Sequence, residues 1–229
     1  MKKILLPALL LLVFNFSCDV YKTLGSGGFT EAEAAQAIRE ALNQGTDKGV
    51  GLLNRTDGFF GNEFYKILLP PDAKKIESTL RTIGLGSMVD KAVLQINRAA
   101  EDAVGYAKPI FVDAIKQMTI ADAINIVRGS SDAATNYFRQ KTTDKLIAAF
   151  SPVVKNSLDK LNATKYYADV INAYNNLPTT FNKLNPDLPS YVVGKSVDAL
   201  FDQVAKEEVN IRQNPVARTT EILKKVFGG

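Results

Sequence analysis

The sequence predicts an all-α protein, a single-domain multi-helix bundle with a short irregular segment near residues 57–71. Three observations predict it. Apolar residues recur at helical spacing in several long runs, most clearly Val89, Ala92, Val93, Ile96, Ala99, Ala100, Ala103, Val104 and Ala107. The runs open near Ser, Thr, Asp or Asn and close on glycine or proline, the residues that cap and stop helices. No series of period-2 strands and no long internal repeat interrupts the pattern. A chain of 229 residues is long enough to bury a core of this kind.

The first residues stand apart. Met1-Lys2-Lys3 is a basic n-region, and residues 4–14 form an apolar run of the length of a secretory h-region. That is shorter than the roughly 20 residues a spanning helix needs. The run ends at Asn15-Phe16-Ser17-Cys18, which resembles a bacterial lipobox with small Ser17 before the cysteine; Asn15 stands where an aliphatic residue is usual. The resemblance implies a lipoprotein signal peptide over 1–17 and a lipidated N-terminus at Cys18. An ordinary signal cut nearby is the alternative, and it would leave a free exported thiol. Residues 18–29, with Gly25-Ser26-Gly27-Gly28, then read as the lipidated cysteine and a flexible tether, and 30–229 as one helical domain. A tether of eleven residues, 19–29, reaches at most ~35–40 Å. Several acyl chains would hold such a domain stably at a bilayer. The expected address is an exported, membrane-anchored lipoprotein at the outer membrane facing the periplasm, with the choice of membrane and leaflet open at this point.

The elements follow in order. Thr30-Glu31-Ala32-Glu33 is a capping box, and Ala34, Ala37, Ile38, Ala41 and Leu42 continue it at helical spacing. Gly45, Gly49 and Gly51 interrupt this run, for close packing or as a break; they lack the Gly-Lys-Ser/Thr ending of a phosphate loop. Residues 57–62 form a turn carrying the aromatic anchors Phe59 and Phe60, and 65–69, closed by Pro70-Pro71, an isolated extended piece. A helix over 72–83 is stopped by Gly84 and Gly86. The helix over 87–107 is the strongest, and Lys108-Pro109 marks a kink or a fresh start. Ile110, Phe111, Ala114, Ile115 and Met118 make a second stripe; Thr119 caps a short helix that closes at Gly129. Ser130 or Ser131 caps the next, with a polar junction at 139–143 and an apolar face that runs on past Pro152. A helix over 163–177, a proline-containing loop over 178–189 and a long amphipathic helix over 190–212 follow. Asn214-Pro215 offers a cap and first-turn proline for the last helix. Small residues, aromatics and caps are densest over 97–152, so the flanking helices are expected to fold onto that stretch.

Two clusters are candidate sites. Arg98, Glu101 and Asp102 lie opposite the apolar stripe, where Arg98 can pair at i+3 and i+4. They read as a charged binding site or, in the favoured reading, as a solvated ion-pair face. Tyr137, Phe138, Arg139 and Lys141 would line a groove for an anionic ligand, or else form core aromatics bordered by surface cations, which is the expected arrangement. Asp113 and Asp122 have structural explanations in a solvent face and a cap, and adjacent Glu207 and Glu208 diverge by about 100° on a helix.

The strings N-R-A-A-E at 97–101, P-I-F-x-D-A-I-x-x-M-T-I-x-D-A from Pro109 and A-A-T-x-Y-F from Ala133 resemble an uncharacterised bacterial family of exported helical domains, the DUF 4197 type. The resemblance covers about 29–229. It implies a mostly helical fold outside the cytoplasm and carries no activity, ligand or site residue with it.

Composition narrows the function. There is no histidine, no tryptophan and one cysteine, so the commonest zinc and copper ligands, an imidazole base and a Cys–His pair are all missing. No disulfide can form once Cys18 is acylated. The formal net charge of +4 includes Lys2 and Lys3 of the signal, and the small balance left argues against a nucleic-acid partner. No cofactor or metal is expected, and no calcium-loop pattern is present. The reading these residues favour is a membrane-anchored binding or scaffold module without enzymatic activity. Its partners would be the membrane, through the N-terminal lipid, and an envelope protein. The alternative is a carrier of a lipid or other apolar small molecule in an inter-helical cavity. A carboxylate-based enzyme is a third, weaker reading.

Overall fold

A computed structural model describes residues 28–70, 74–160, 162–176 and 187–228; the expected signal peptide, Cys18, most of the expected tether and most of the 178–189 loop lie outside them. Within the described residues the chain forms nine α-helices and one 3-10 turn, the all-α single-domain fold the sequence predicts. Helix α1 (Glu31–Leu53) opens on the expected capping box, in which the Thr30 hydroxyl accepts from Glu33 N and Glu33 accepts from Thr30 N. Residues 54–70 then run as turns and an irregular stretch to α2 (Lys74–Thr82), and Gly84, at φ +87°, makes the sharp exit that only glycine adopts freely.

Helix α3 (Gly86–Val104) buries its alanine stripe completely, with Ala92, Ala99, Ala100 and Ala103 at 0% exposure, so neighbours approach its backbone closely. Lys108-Pro109 proves to be a fresh start: α4 (Ala107–Gln117) carries both in its first turn, where proline costs no helix bond. Helix α5 (Ile120–Arg128) takes the predicted Thr119 cap, with Asp122 completing the box. Gly129 ends it, as expected, in extended conformation.

Helix α6 (Ala133–Lys160) runs straight through the expected junction at 139–143 and through Pro152. The Thr142 hydroxyl donates to Phe138 O, which hides that polar group inside the helix. Helix α7 (Ala163–Asn175) follows, then α8 (Leu188–Gln213). Asn214-Pro215 begins a 3-10 turn, Pro215–Ala217, and not the last helix; α9 (Glu221–Phe227) is capped by Thr220.

Helix α8 packs against α1, α3 and α6 and shares the organising role expected of residues 97–152. Gly45 and Gly49 explain the α1 contact. A methyl group at Gly49 would lie 3.2 Å from Gln203 Cβ, so the glycines serve close packing and do not break the helix. Phe111 stacks on Phe138 with ring centroids 4.6 Å apart, and Phe201 tilts against Phe111. Each buried phenylalanine contributes ~1.5–3 kcal/mol. A smaller cluster of Phe29, Ala34, Ala37, Ile211, Ala217, Leu223 and Val226 seals the end where the chain enters the domain.

Candidate functional site

The site grows from polar residues on the apolar face of α3. Asn97 is fully buried, and its side-chain amide pairs with both backbone groups of Ile67: Oδ1 accepts from the N–H and Nδ2 donates to the C=O, each at 2.8 Å. One turn on, the buried Glu101 carboxylate accepts from the backbone N–H groups of Phe59 and Phe60, both at 3.1 Å. Arg98 balances that charge, donating to Glu101 at 2.7 Å and to Asp57 at 2.8 Å. Asn54, which caps α1, donates to Glu101 O. Four polar groups thus hold residues 54–67 against α3.

This overturns the solvated-face reading of the first candidate cluster. Glu101 is buried because it supplies acceptors to two amides that would otherwise be unsatisfied, and a paired carboxylate survives burial where a lone one would not. Arg98 is partly covered and pairs at i+3 but with no oxygen of Asp102, which stays exposed and accepts from Ser157 of α6. The Glu101 hydrogen bond raises the pKa of the Arg98 guanidinium against the opposing effect of burial, and Asp57 adds to the rise. The cluster is a structural clamp.

The second candidate cluster is not one groove. Phe138 lies in the core on Phe111, while Arg139 lies over the Phe201 ring, 4.6 Å from its centroid, and 3.8 Å from Asp198. Only Tyr137 and Lys141 share a recess, of about 220 Å³, with Thr119 and Asp122. Asp122 stays below its usual carboxylate range through the Thr119 hydrogen bonds, which is a capping role. Burial raises the Tyr137 hydroxyl, aided by Asp122.

Glu208 repeats the clamp on the other side of α8. It is buried, accepts from the N–H groups of Ala134 and Thr135 at 3.0 and 2.8 Å, and pairs with Arg212 at 2.9 Å. A remote carboxylate therefore caps α6, and the expected Ser130 or Ser131 cap is not used; Ser130 donates to Asp132 instead. Glu207 turns the other way, to Gln44 and Lys48 of α1 at 2.6 Å each, so the adjacent acids diverge as expected.

Among the described residues, one recess combines exposed large apolar side chains with charge. Residues 64–69 and α8 enclose a groove of about 570 Å³, lined by Phe64, Leu68 and Tyr191 among others, with Lys66, Lys195 and Lys206 at its margins. Phe64 is 82% and Leu68 43% exposed, whereas Ile83, Tyr106, Ile120, Ile147 and Val216 are exposed outside the described recesses. Tyr65 anchors the groove to α8: its hydroxyl donates to Asp202 and accepts from Lys206 at 2.6 Å and from Gln203. Burial and then Asp202 raise the Tyr65 pKa. Burial works to raise Asp202 as well, but hydrogen bonds from Lys206 and Tyr65 outweigh it and hold that carboxyl low. A second groove of about 650 Å³, between α1 and α8, adjoins the first at Lys206 and includes Lys48 and Arg55.

Among the described residues no group of three or more His, Cys, Asp or Glu could hold a metal ion, and no helix is long and apolar enough to cross a membrane. Sequence reasoning missed the groove, because Phe64 and Leu68 look like any other apolar residues. Asn97 was the available signal: a polar side chain falling between Val93 and Glu101 at i, i+4 on a helix that is otherwise apolar there.

Fold and site together define an all-α domain whose buried carboxylates and amide clamp an irregular segment beside an open groove. The chain belongs to the family described as protein of unknown function (DUF4197), whose model matches residues 28–228. No curated protein and no solved structure matches it.

Proposed function

We propose that this protein is a membrane-tethered, non-catalytic binding module of the cell envelope, and that it docks a segment of a partner protein in the groove between residues 64–69 and α8. One observation carries the reading: Phe64 and Leu68 stand exposed together in a groove whose backbone is fixed from behind by Asn97, Glu101 and Tyr65. Rigid apolar side chains at a groove are what a partner buries.

Charge selects the partner's chemistry. Asp198 faces Arg139, and Asp202 is paired with Lys206. Lys66 and Lys195 lie over the rings of Phe60 and Tyr191 and form no salt bridge among the described residues, Lys66 acting on Asp90 only at longer range. The complementary segment is therefore apolar with acidic residues beside it. The apolar carrier has less support, since the four described recesses are open to solvent and five phenylalanines fill the interior.

Position agrees with a partner outside the bilayer. Phe29, where the tether enters, packs with Ile211, whereas Tyr191 lies twenty residues earlier on α8, about 30 Å away along the helix. An anchor at Cys18 would leave the Tyr191 end of the groove at the far end of α8.

A photo-cross-linking residue placed in the full chain at Leu68, at Tyr191 and, as a control, at Ile147 tests this in the native envelope. The expected result is a discrete product at the first two positions, mapping to an apolar and acidic segment of one protein. Products at Ile147 alone, or the same products at all three positions, would overturn the proposal.

A further inference from the structure

We infer that the partner segment binds in extended form, as a strand added beside residues 66–69, with its chain running along α8. The inference rests on the docking reading above and specifies the conformation of what docks.

Residues 66–69 carry the pattern of a short edge strand, between a turn at 63–65 and a bend at Leu69. Their burial alternates, with Ile67 and Leu69 inside and Lys66 and Leu68 outside, the period of an extended chain. The N–H and C=O of Ile67 both reach the Asn97 amide, as those of a β residue reach one partner residue. Asn97 thus occupies one edge. In an extended chain the backbone groups of the next residue face the opposite edge. The Lys66 N–H there is taken by Asn62 O at 2.9 Å. Leu68 has no backbone hydrogen-bond partner among the described residues, and it lines the groove. An unpaired edge beside apolar pockets is what an extended peptide completes, exchanging main-chain hydrogen bonds with the edge and placing alternate side chains in the pockets. A docked helix has no free backbone groups to offer Leu68.

Length and polarity follow from the second groove. The two grooves meet at Lys206, and their α8 residues run from Tyr191 to Asn210, about 28 Å of helix, which matches roughly eight or nine extended residues. At the far end Asp47 is paired with Lys108 and Glu207 with Lys48, while Arg55 has no carboxylate partner among the described residues. The segment accordingly carries apolar side chains along the first groove, from Tyr191 to Phe64 beside Lys206, and an acid at the Arg55 end.

Panning a phage library of random peptides against the full chain in detergent supplies the probe, and fluorescence anisotropy of an enriched peptide measures affinity. Strand addition predicts an apolar cluster separated from an acid by several residues. N-methylation of one backbone amide in the peptide, that opposite Leu68, should weaken binding about tenfold or more, and methylation of its sequence neighbours far less. Arg55→Glu should weaken the long peptide about tenfold and leave one truncated to its apolar half unchanged. If Leu68→Asp abolishes binding but methylation shows no positional effect, or the bound peptide is helical by circular dichroism, the strand is wrong and the docking site stands. If no peptide is enriched, or the folded Leu68→Asp protein binds as well as the native chain, both fail.

Discussion

At the scale of single residues, three buried polar side chains do work that apolar ones cannot. Asn97 makes three hydrogen bonds, to both backbone groups of Ile67 and to Val93 O. Asn97→Ala strands two buried backbone groups at ~1–3 kcal/mol each, so a loss of about 2–6 kcal/mol is expected in urea denaturation. Asn97→Leu should do no better, because the stranded groups belong to Ile67. Glu208→Ala leaves the α6 amides and Arg212 without their shared carboxylate and should cost about 3–5 kcal/mol. Gly58 is a steric counterpart: a methyl group there would lie 2.4 Å from Leu53 O, so Gly58→Ala should displace the 57–60 turn and lower the thermal midpoint. Sequence pattern reaches such residues only halfway. It puts Asn97 on the face of Val93 but Glu101 opposite the apolar stripe, and the groups both satisfy lie 30 to 42 positions away.

Helices with local signals were legible element by element. The α1 and α5 capping boxes, the fresh start at Lys108-Pro109 and the long α8 all follow from side chains within a turn of where they act. Elements fixed by remote partners were not. The start of α6 depends on Glu208, 73 residues from Thr135, and the supposed junction at 139–143 is continuous because Phe138 and Thr142 pack into the core. The piece over 65–69 was legible as apolar and isolated, but Tyr65 belongs to a turn and Leu69 to a bend, and the open edge and groove depend on α3 and α8. At this scale, Gly49→Val should separate α1 from α8, since even a methyl group approaches Gln203 Cβ to 3.2 Å. Overpacking of this kind costs ~1–3 kcal/mol, and a chemical denaturation midpoint would register it.

For the molecule as a whole, charge sets the response to pH. Asp122 and Asp202 titrate below their ordinary range when folded, Asp122 through Thr119 and Asp202 through Lys206 and Tyr65 against the opposing effect of burial. A depressed carboxylate contributes stability above its unfolded pKa and loses it as pH falls through the folded one. With no histidine in the chain, the thermal midpoint should stay nearly flat from about pH 5.5 to 8 and drop below about pH 4. A steep change near pH 6.5 would contradict this. The same global view joins the filled core and the groove: buried polar groups hold residues 54–67, while the backbone of Leu68 has no partner among the described residues. Hydrogen exchange at two adjacent amides tests that claim most directly. The Ile67 N–H, bonded to Asn97, should exchange only on near-global unfolding, while the Leu68 N–H exchanges fast in the free chain and becomes protected when a partner peptide binds. Fast exchange at both amides would show that the segment is not clamped, and protection of Leu68 in the free chain would show that its edge is already closed.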